Sequence, residues 1–242
     1  MTPSLPEAAG QARDVEVIGI ELGVIWRLDE RGRLPGPERM VIGAAADGMV
    51  AAVAHDVPGE TAAQVLALVA RSVPPPPGSP PAVLDDCRRL LGEPELRVTG
   101  GPSYQVIPPV RWGGAVQVLT SDAAEHVRLV RSLPRPAVWA AGEWAALLGG
   151  GAGAPWAMVA ADGQVASVCH TARLTPLGAE AGTWTSPAYR GRGLAAAATA
   201  RWSALLPGIR LFYSTSADNH SSRRVARRLG LRTLGWIWHL TT

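Results

Sequence analysis

The chain contains no lysine; all 23 of its strong bases are arginines. A nucleoside-triphosphate loop of the Walker type needs a Lys-Ser/Thr pair behind its glycines, so that class is excluded. Cysteine is almost as scarce. Cys87 and Cys169 are too few and too far apart for a disulfide framework or a metal site, so they read as small buried hydrophobes and no metal is expected. No apolar run is long enough to suggest a membrane span. Met1 to Asp14 lacks a basic stretch followed by an apolar core, so no secretory signal is expected and the expected location is cytoplasmic. The net charge is only +3, and no aromatic stacking platform accompanies the arginines, so a nucleic-acid partner is not expected.

What is present fits a mixed helix and strand protein of 242 residues, 47% hydrophobic and 18% charged, enough to fill two modest cores. Arg39 to Ala46 and Met49 to His55 read as strands joined at Asp47-Gly48. Helices are expected at Thr61–Ser72 and Ala82–Leu91 around a proline-rich loop, with an extended stretch over Leu96–Val110. Residues 1–110 thus form a small α/β unit, and Pro108-Pro109 marks its boundary with residues 111–242. In the second unit, Val116–Leu119 reads as a strand, and Asp122–Ser132 and Ala141–Leu148 as helices. Trp156–Ala160 and Gln164–His170 read as a hairpin, with further strands at Glu180–Thr185 and Leu211–Ser216.

The most informative segment runs from Tyr189 to Ala200, where a glycine-punctuated loop enters an alanine-rich helix. Gly191 and Gly193 have no side chain to keep their amides from an anion, the next helix offers unpaired N–H groups, and Arg190 and Arg192 add charge. A tight turn with a solvated arginine pair is the alternative. Gly191, Gly193 and Ala196 also match a dinucleotide fingerprint, but too little chain follows Leu194 for the strand-helix units such a domain needs.

Arg190-Gly191-Arg192-Gly193-Leu194-Ala195 resembles the Arg/Gln-any-any-Gly-any-Gly/Ala loop of the GNAT superfamily of N-acetyltransferases, and Asn219, Ser222 and Gly230 fall at that family's second motif. The resemblance covers about Trp112 to Thr242. It implies a mixed, mostly antiparallel twisted sheet flanked by helices, preceded here by the smaller α/β unit, an accessory region for which a degenerate copy of the same fold is one reading. It also implies acetyl-CoA as co-substrate and acetyl transfer to an amine of a small molecule or peptide. The oligomeric state stays open, a homodimer included.

The resemblance further implies that the fourth and fifth strands of the family sheet, here Glu180–Thr185 and Leu211–Ser216, splay to admit the pantetheine arm. The cofactor-binding set is then Thr183, Trp184, Thr185, Arg190, Gly191, Arg192, Gly193, Leu194, Ala195, Asn219 and Ser222. Backbone amides at Thr183 and Thr185 would polarise the thioester carbonyl. Glu180 is either the base that takes the amine proton or an ordinary strand-end charge, and it precedes Arg190 by ten residues, one fewer than the family pattern. The tyrosine that many relatives carry seven residues after the motif asparagine is Ala226 here, which leaves Ser214 and Ser216 as candidate hydroxyls. His170 is a reserve base, and Arg223 or Arg224 a candidate contact to the adenosine phosphate. Trp236 and Trp238 are either core or part of an acceptor pocket. With the tyrosine absent, a non-catalytic acyl-CoA-binding or sensing protein is the alternative function.

Overall fold

One sheet of nine strands runs through residues 12–242, the part of the chain that the computed structural model describes. The segment read as free of a secretory signal lies, up to residue 11, outside the described residues. The first element, α1 (Asp14–Trp26), is a helix that the sequence reading does not anticipate. Its apolar residues are spread around the cylinder, so it lacks the one-sided period of a surface helix. It packs on the sheet with Val17, Ile18, Leu22 and Val24 buried, reaching from the strands at one edge to those past the middle.

The hairpin of β1 (Met40–Ala45) and β2 (Gly48–Val53) follows, then α2 (Gly59–Arg71), α3 (Leu84–Leu91) and β3 (Arg97–Val106). After the Pro108-Pro109 bond come β4 (Leu119–Thr120), α4 (Ala124–Ser132), α5 (Ala141–Leu148), β5 (Trp156–Ala161), β6 (Gln164–Thr175) and β7 (Gly178–Thr185). The chain closes with α6 (Leu194–Ser203), β8 (Arg210–Ser214), α7 (His220–Arg228) and β9 (Arg232–Thr241). The strand order is β2-β1-β9-β3-β8-β7-β6-β5-β4, antiparallel throughout except for β7 beside β8. The fold is therefore the mixed, mostly antiparallel sheet flanked by helices that the sequence led us to expect.

The two sequence units share this sheet. β3, from the first, lies between β8 and β9 of the second, and β9 in turn pairs with β1. Helices α2, α3, α6 and α7 cover one face, where Trp236 and Trp238 stack 5.5 Å apart against the α2–α3 cluster. That settles these two tryptophans as packing residues. Helices α1, α4 and α5 cover the other face.

Candidate active site

β7 and β8 lie side by side only where Gly178–Glu180 meets Arg210–Phe212; beyond that they part. The amide of Ser186 bonds Ala166 O on the β6 side, so strand alternation turns the amides of Thr183 and Thr185 the other way, into the gap. The chain enters α6 beside this gap through Gly191 and Gly193, both left-handed at φ +78° and +81°. A residue with a Cβ pays roughly 1–2 kcal/mol for that conformation. Gly191 faces open space, whereas a Cβ on Gly193 would strike the Arg228 guanidinium and come within 2.6 Å of the Trp112 ring. Alanine lets α6 lie close over β5, β6 and β7, with Ala196, Ala197 and Ala198 all buried.

These elements enclose a cavity of about 400 Å³. Thr183, Trp184 and Thr185 form one wall. Arg190, Gly191, Gly193, Leu194 and Ala195 form the floor, and Asn219, Ser222, Arg224 and Arg228 the facing wall. Asn219 also caps α7, its Oδ1 accepting from the Ser222 amide at 3.0 Å. Of the predicted binding residues only Arg192 stands apart: its guanidinium lies 5.0 Å over the Tyr189 ring and donates to Ala188 O. Tyr189 itself is tied to Asp162 at 2.8 Å, which anchors the loop. Arg223 donates to Ala217 O rather than facing the cavity, while Arg224 and Arg228, one helical turn apart, both line it.

The cavity suits a ligand bearing phosphates. The first turn of α6 has no side-chain cap, and among the described residues no carboxylate forms an ion pair with Arg190, Arg224 or Arg228. Unpaired amides and guanidinium groups converging on one space form an anion site.

Glu180 lies at the apex of the gap and is 7% exposed. Its Oε1 accepts from both the amide and the hydroxyl of Ser214, at 2.7 and 2.8 Å, while Oε2 is buried without a partner. Burial pushes its pKa up to about 7 against the Ser214 bonds and the attraction of Arg173. Ser214 and Ser216 do not line the large cavity. They border a second one of about 190 Å³ under the end of α1, with Ile25, Trp26, Ile237 and His239. Tyr213, which alternation sends to the opposite face from Ser214, turns its hydroxyl toward Thr183 Oγ1 at 3.4 Å, with Ser222 also in reach. Burial holds this phenol above its ordinary pKa, so it keeps its proton.

His170 lies against Gly182, in edge contact with Trp139 at 5.0 Å. Burial, aided by Arg173, lowers its pKa to about 4, so the ring is neutral at physiological pH. The thiols of Cys87 and Cys169 are pushed up by burial to about 11 and about 12 and stay protonated. Tyr189 and Arg228 line the cavity and Trp112 packs against Arg228; sequence reasoning placed none of the three there, and it set Tyr213 aside in favour of Ser214 and Ser216. The alternation and helical spacing that would have placed Tyr213 and Arg228 were legible; the return of Trp112 onto the loop was not. Among the described residues, no group of His, Cys, Asp or Glu has an arrangement that could hold a metal ion, and no helix is long and apolar enough to cross a membrane.

Parting parallel strands, a glycine loop with unpaired arginines and a buried carboxylate at the apex thus meet in one region of the fold. The family model of the acetyltransferase (GNAT) domain matches residues 111–232, half of the chain, and the chain belongs to that family. No curated protein matches it. Among solved structures the chain is similar to a GNAT-family protein of Novosphingobium aromaticivorans, with 24% identity, 81% of this chain and 84% of that one covered, and a TM-score of 0.44. It is also similar to a GCN5-related N-acetyltransferase from Kribbella flavida, with 16% identity, 95% and 96% covered, and a TM-score of 0.47. A GCN5-related N-acetyltransferase-like protein from Streptococcus suis shares 13% identity over 94% and 98% of the two chains, with a TM-score of 0.43.

Proposed function

We propose that the protein transfers an acetyl group from acetyl-CoA to the amine of a small molecule. The observation that carries this reading is the single cavity in which the free edge of β7, the glycine loop and the arginines of α7 meet. Acetyl-CoA supplies an acyl group already activated as a thioester. The amides of Gly191 to Ala195, with Arg190, hold the pyrophosphate, and Arg224 and Arg228 hold the adenosine phosphate end. The amides of Thr183 and Thr185 donate to the thioester carbonyl, where a single such donor is typically worth about a hundredfold in rate.

Glu180 takes the proton of the acceptor amine, since a carboxylate titrating near 7 balances availability against basicity at neutral pH. Ser214 keeps that carboxylate aimed, and Tyr213, on the cofactor face, donates a proton to the departing thiolate in place of the hydroxyls of Ser214 and Ser216. The second cavity receives the acceptor. Its size and the side chains of Ile25, Trp26 and Ile237 favour a compact amine with an apolar body over a peptide chain.

Release of free thiol from acetyl-CoA across a panel of small amines tests the reading. Acceleration by at least one compact amine is expected. Tight uptake of acetyl-CoA with no amine accelerating thiol release would instead indicate an acyl-CoA sensor.

A further inference from the structure

The matched family domain begins at residue 111, yet a buried carboxylate from the first helix reaches the apex of the site. Glu21, at 0% exposure, has one oxygen hydrogen-bonded to the Ser103 hydroxyl and the other buried without a partner. Ser103 on β3 is the register partner of Ser214 on β8, and Ser214 holds Glu180. Directly opposed residues on one face of an antiparallel pair have Cβ atoms roughly 4.5–5.5 Å apart. Glu21, Ser103, Ser214 and Glu180 therefore form one polar array across α1, β3, β8 and β7. Val17, Val24, Phe212 and Leu234 form an apolar cluster on the same face.

We propose that the two carboxyl groups of this array hold one negative charge between them, that the charge rests on Glu180, and that the protonated Glu21 is a positioning residue for acyl transfer. Two like charges in a dry interior repel too strongly for both to ionise. Hydrogen bonding decides which one does. Glu180 accepts from an amide and a hydroxyl, and Arg173, its register partner on β6, attracts the anion. Glu21 has a single hydroxyl partner, and the charged group acting on it is Glu180 itself. In agreement, burial first and Glu180 second lift Glu21 well above the ordinary carboxylate range. A neutral Glu21 occupies the Ser103 hydroxyl, so that the Ser214–Glu180 pair keeps its geometry and the basicity of Glu180 is set by burial.

The kinetic arm of the test rests on the acyl-transfer reading; the spectroscopic arm does not. At about pH 8.5, above the value near 7 at which Glu180 ionises, infrared difference spectra of the full chain should show a protonated carboxylic C=O band that disappears in Glu21→Gln. Absence of the band in the native protein, or its persistence in Glu21→Gln, overturns the proposal. In kinetics, Glu21→Leu frees the Ser103 hydroxyl to bond the Ser214–Glu180 pair. It should lower kcat/KM for the amine at least tenfold and move the acid limb of the pH profile to lower pH, and Glu21→Gln should recover the rate to within threefold with the limb in place. A Glu21→Gln limb displaced downward by a unit means that Glu21 is ionised and overturns the proposal, as does a Glu21→Leu enzyme indistinguishable from native. Should Glu21→Leu fail to fold, the band decides; should the native protein show no transfer, the proposed function fails while the band still reads out the shared charge.

Discussion

Gly191 and Gly193 have nearly the same backbone conformation in different surroundings, and substituting alanine at each separates strain from crowding. Both sit near φ +80°, so either alanine should cost roughly 1–2 kcal/mol in the left-handed region. At Gly191 nothing lies within 4 Å of the added methyl, and strain is the whole effect. At Gly193 the methyl displaces Arg228 and meets the Trp112 ring at 2.6 Å. Arg228 is the far end of a flexible side chain and gives way cheaply, but its guanidinium, 5.1 Å over Trp112, then leaves the cradle. A charged hydrogen bond lost there is worth roughly 1.5–3 kcal/mol, or about ten- to a hundredfold in acetyl-CoA affinity. Denaturant unfolding should therefore show Gly193→Ala less stable than Gly191→Ala, and calorimetry should show it binding acetyl-CoA at least about tenfold more weakly. Equal stability and equal affinity for the two variants would refute the packing of Arg228 and Trp112 around the loop.

Ser214→Ala removes one of two hydrogen bonds that favour ionised Glu180. The folded-state pKa then rises from about 7, so the acid limb of kcat/KM should move to higher pH by about one unit; a downward shift would contradict the base assignment. Tyr213→Phe should lower kcat about a hundredfold with little change in the KM for acetyl-CoA, and an unchanged kcat would remove Tyr213 from the reaction. His170 is held with its pKa depressed to about 4, so protonation favours the unfolded chain. The native protein should lose stability relative to His170→Gln as pH falls from about 6.5 toward 4, and a gap constant across that range would argue against a buried neutral ring. The fragment 111–242 lacks β3 and so leaves facing edges of β8 and β9 unpaired. It should show no cooperative unfolding, and a stable fragment that binds acetyl-CoA would refute the shared sheet.

The parts of the site that could be read from the chain are those set by local chemistry. Glycines at 191 and 193, alanines along α6 and an asparagine three residues before Ser222 need no distant partner to declare a loop, a closely packed helix and a cap. The helix at Ala141–Leu148 was legible for the same reason, and so was the β1–β2 hairpin, although its two-residue turn is Ala46-Asp47, with Gly48 already paired to Ala45, rather than Asp47-Gly48. Helix α1 was hidden because its Val, Ile and Leu residues show no single apolar face, which is what a helix pressed between sheet and neighbours looks like. The placement of β3 between β8 and β9 depends on pairings more than a hundred residues away, and no local pattern announces them. The Glu21–Ser103–Ser214–Glu180 array was invisible for both reasons.

Transfer as proposed requires the loop after Tyr189 to cradle the diphosphate of acetyl-CoA. A crystal structure of the protein grown with acetyl-CoA tests this most directly. The pyrophosphate oxygens are expected within hydrogen-bonding distance, about 2.7–3.2 Å, of the amides between Gly191 and Ala195, with the thioester between the β7 and β8 edges. A nucleotide bound elsewhere, with that loop and the gap empty, would contradict it.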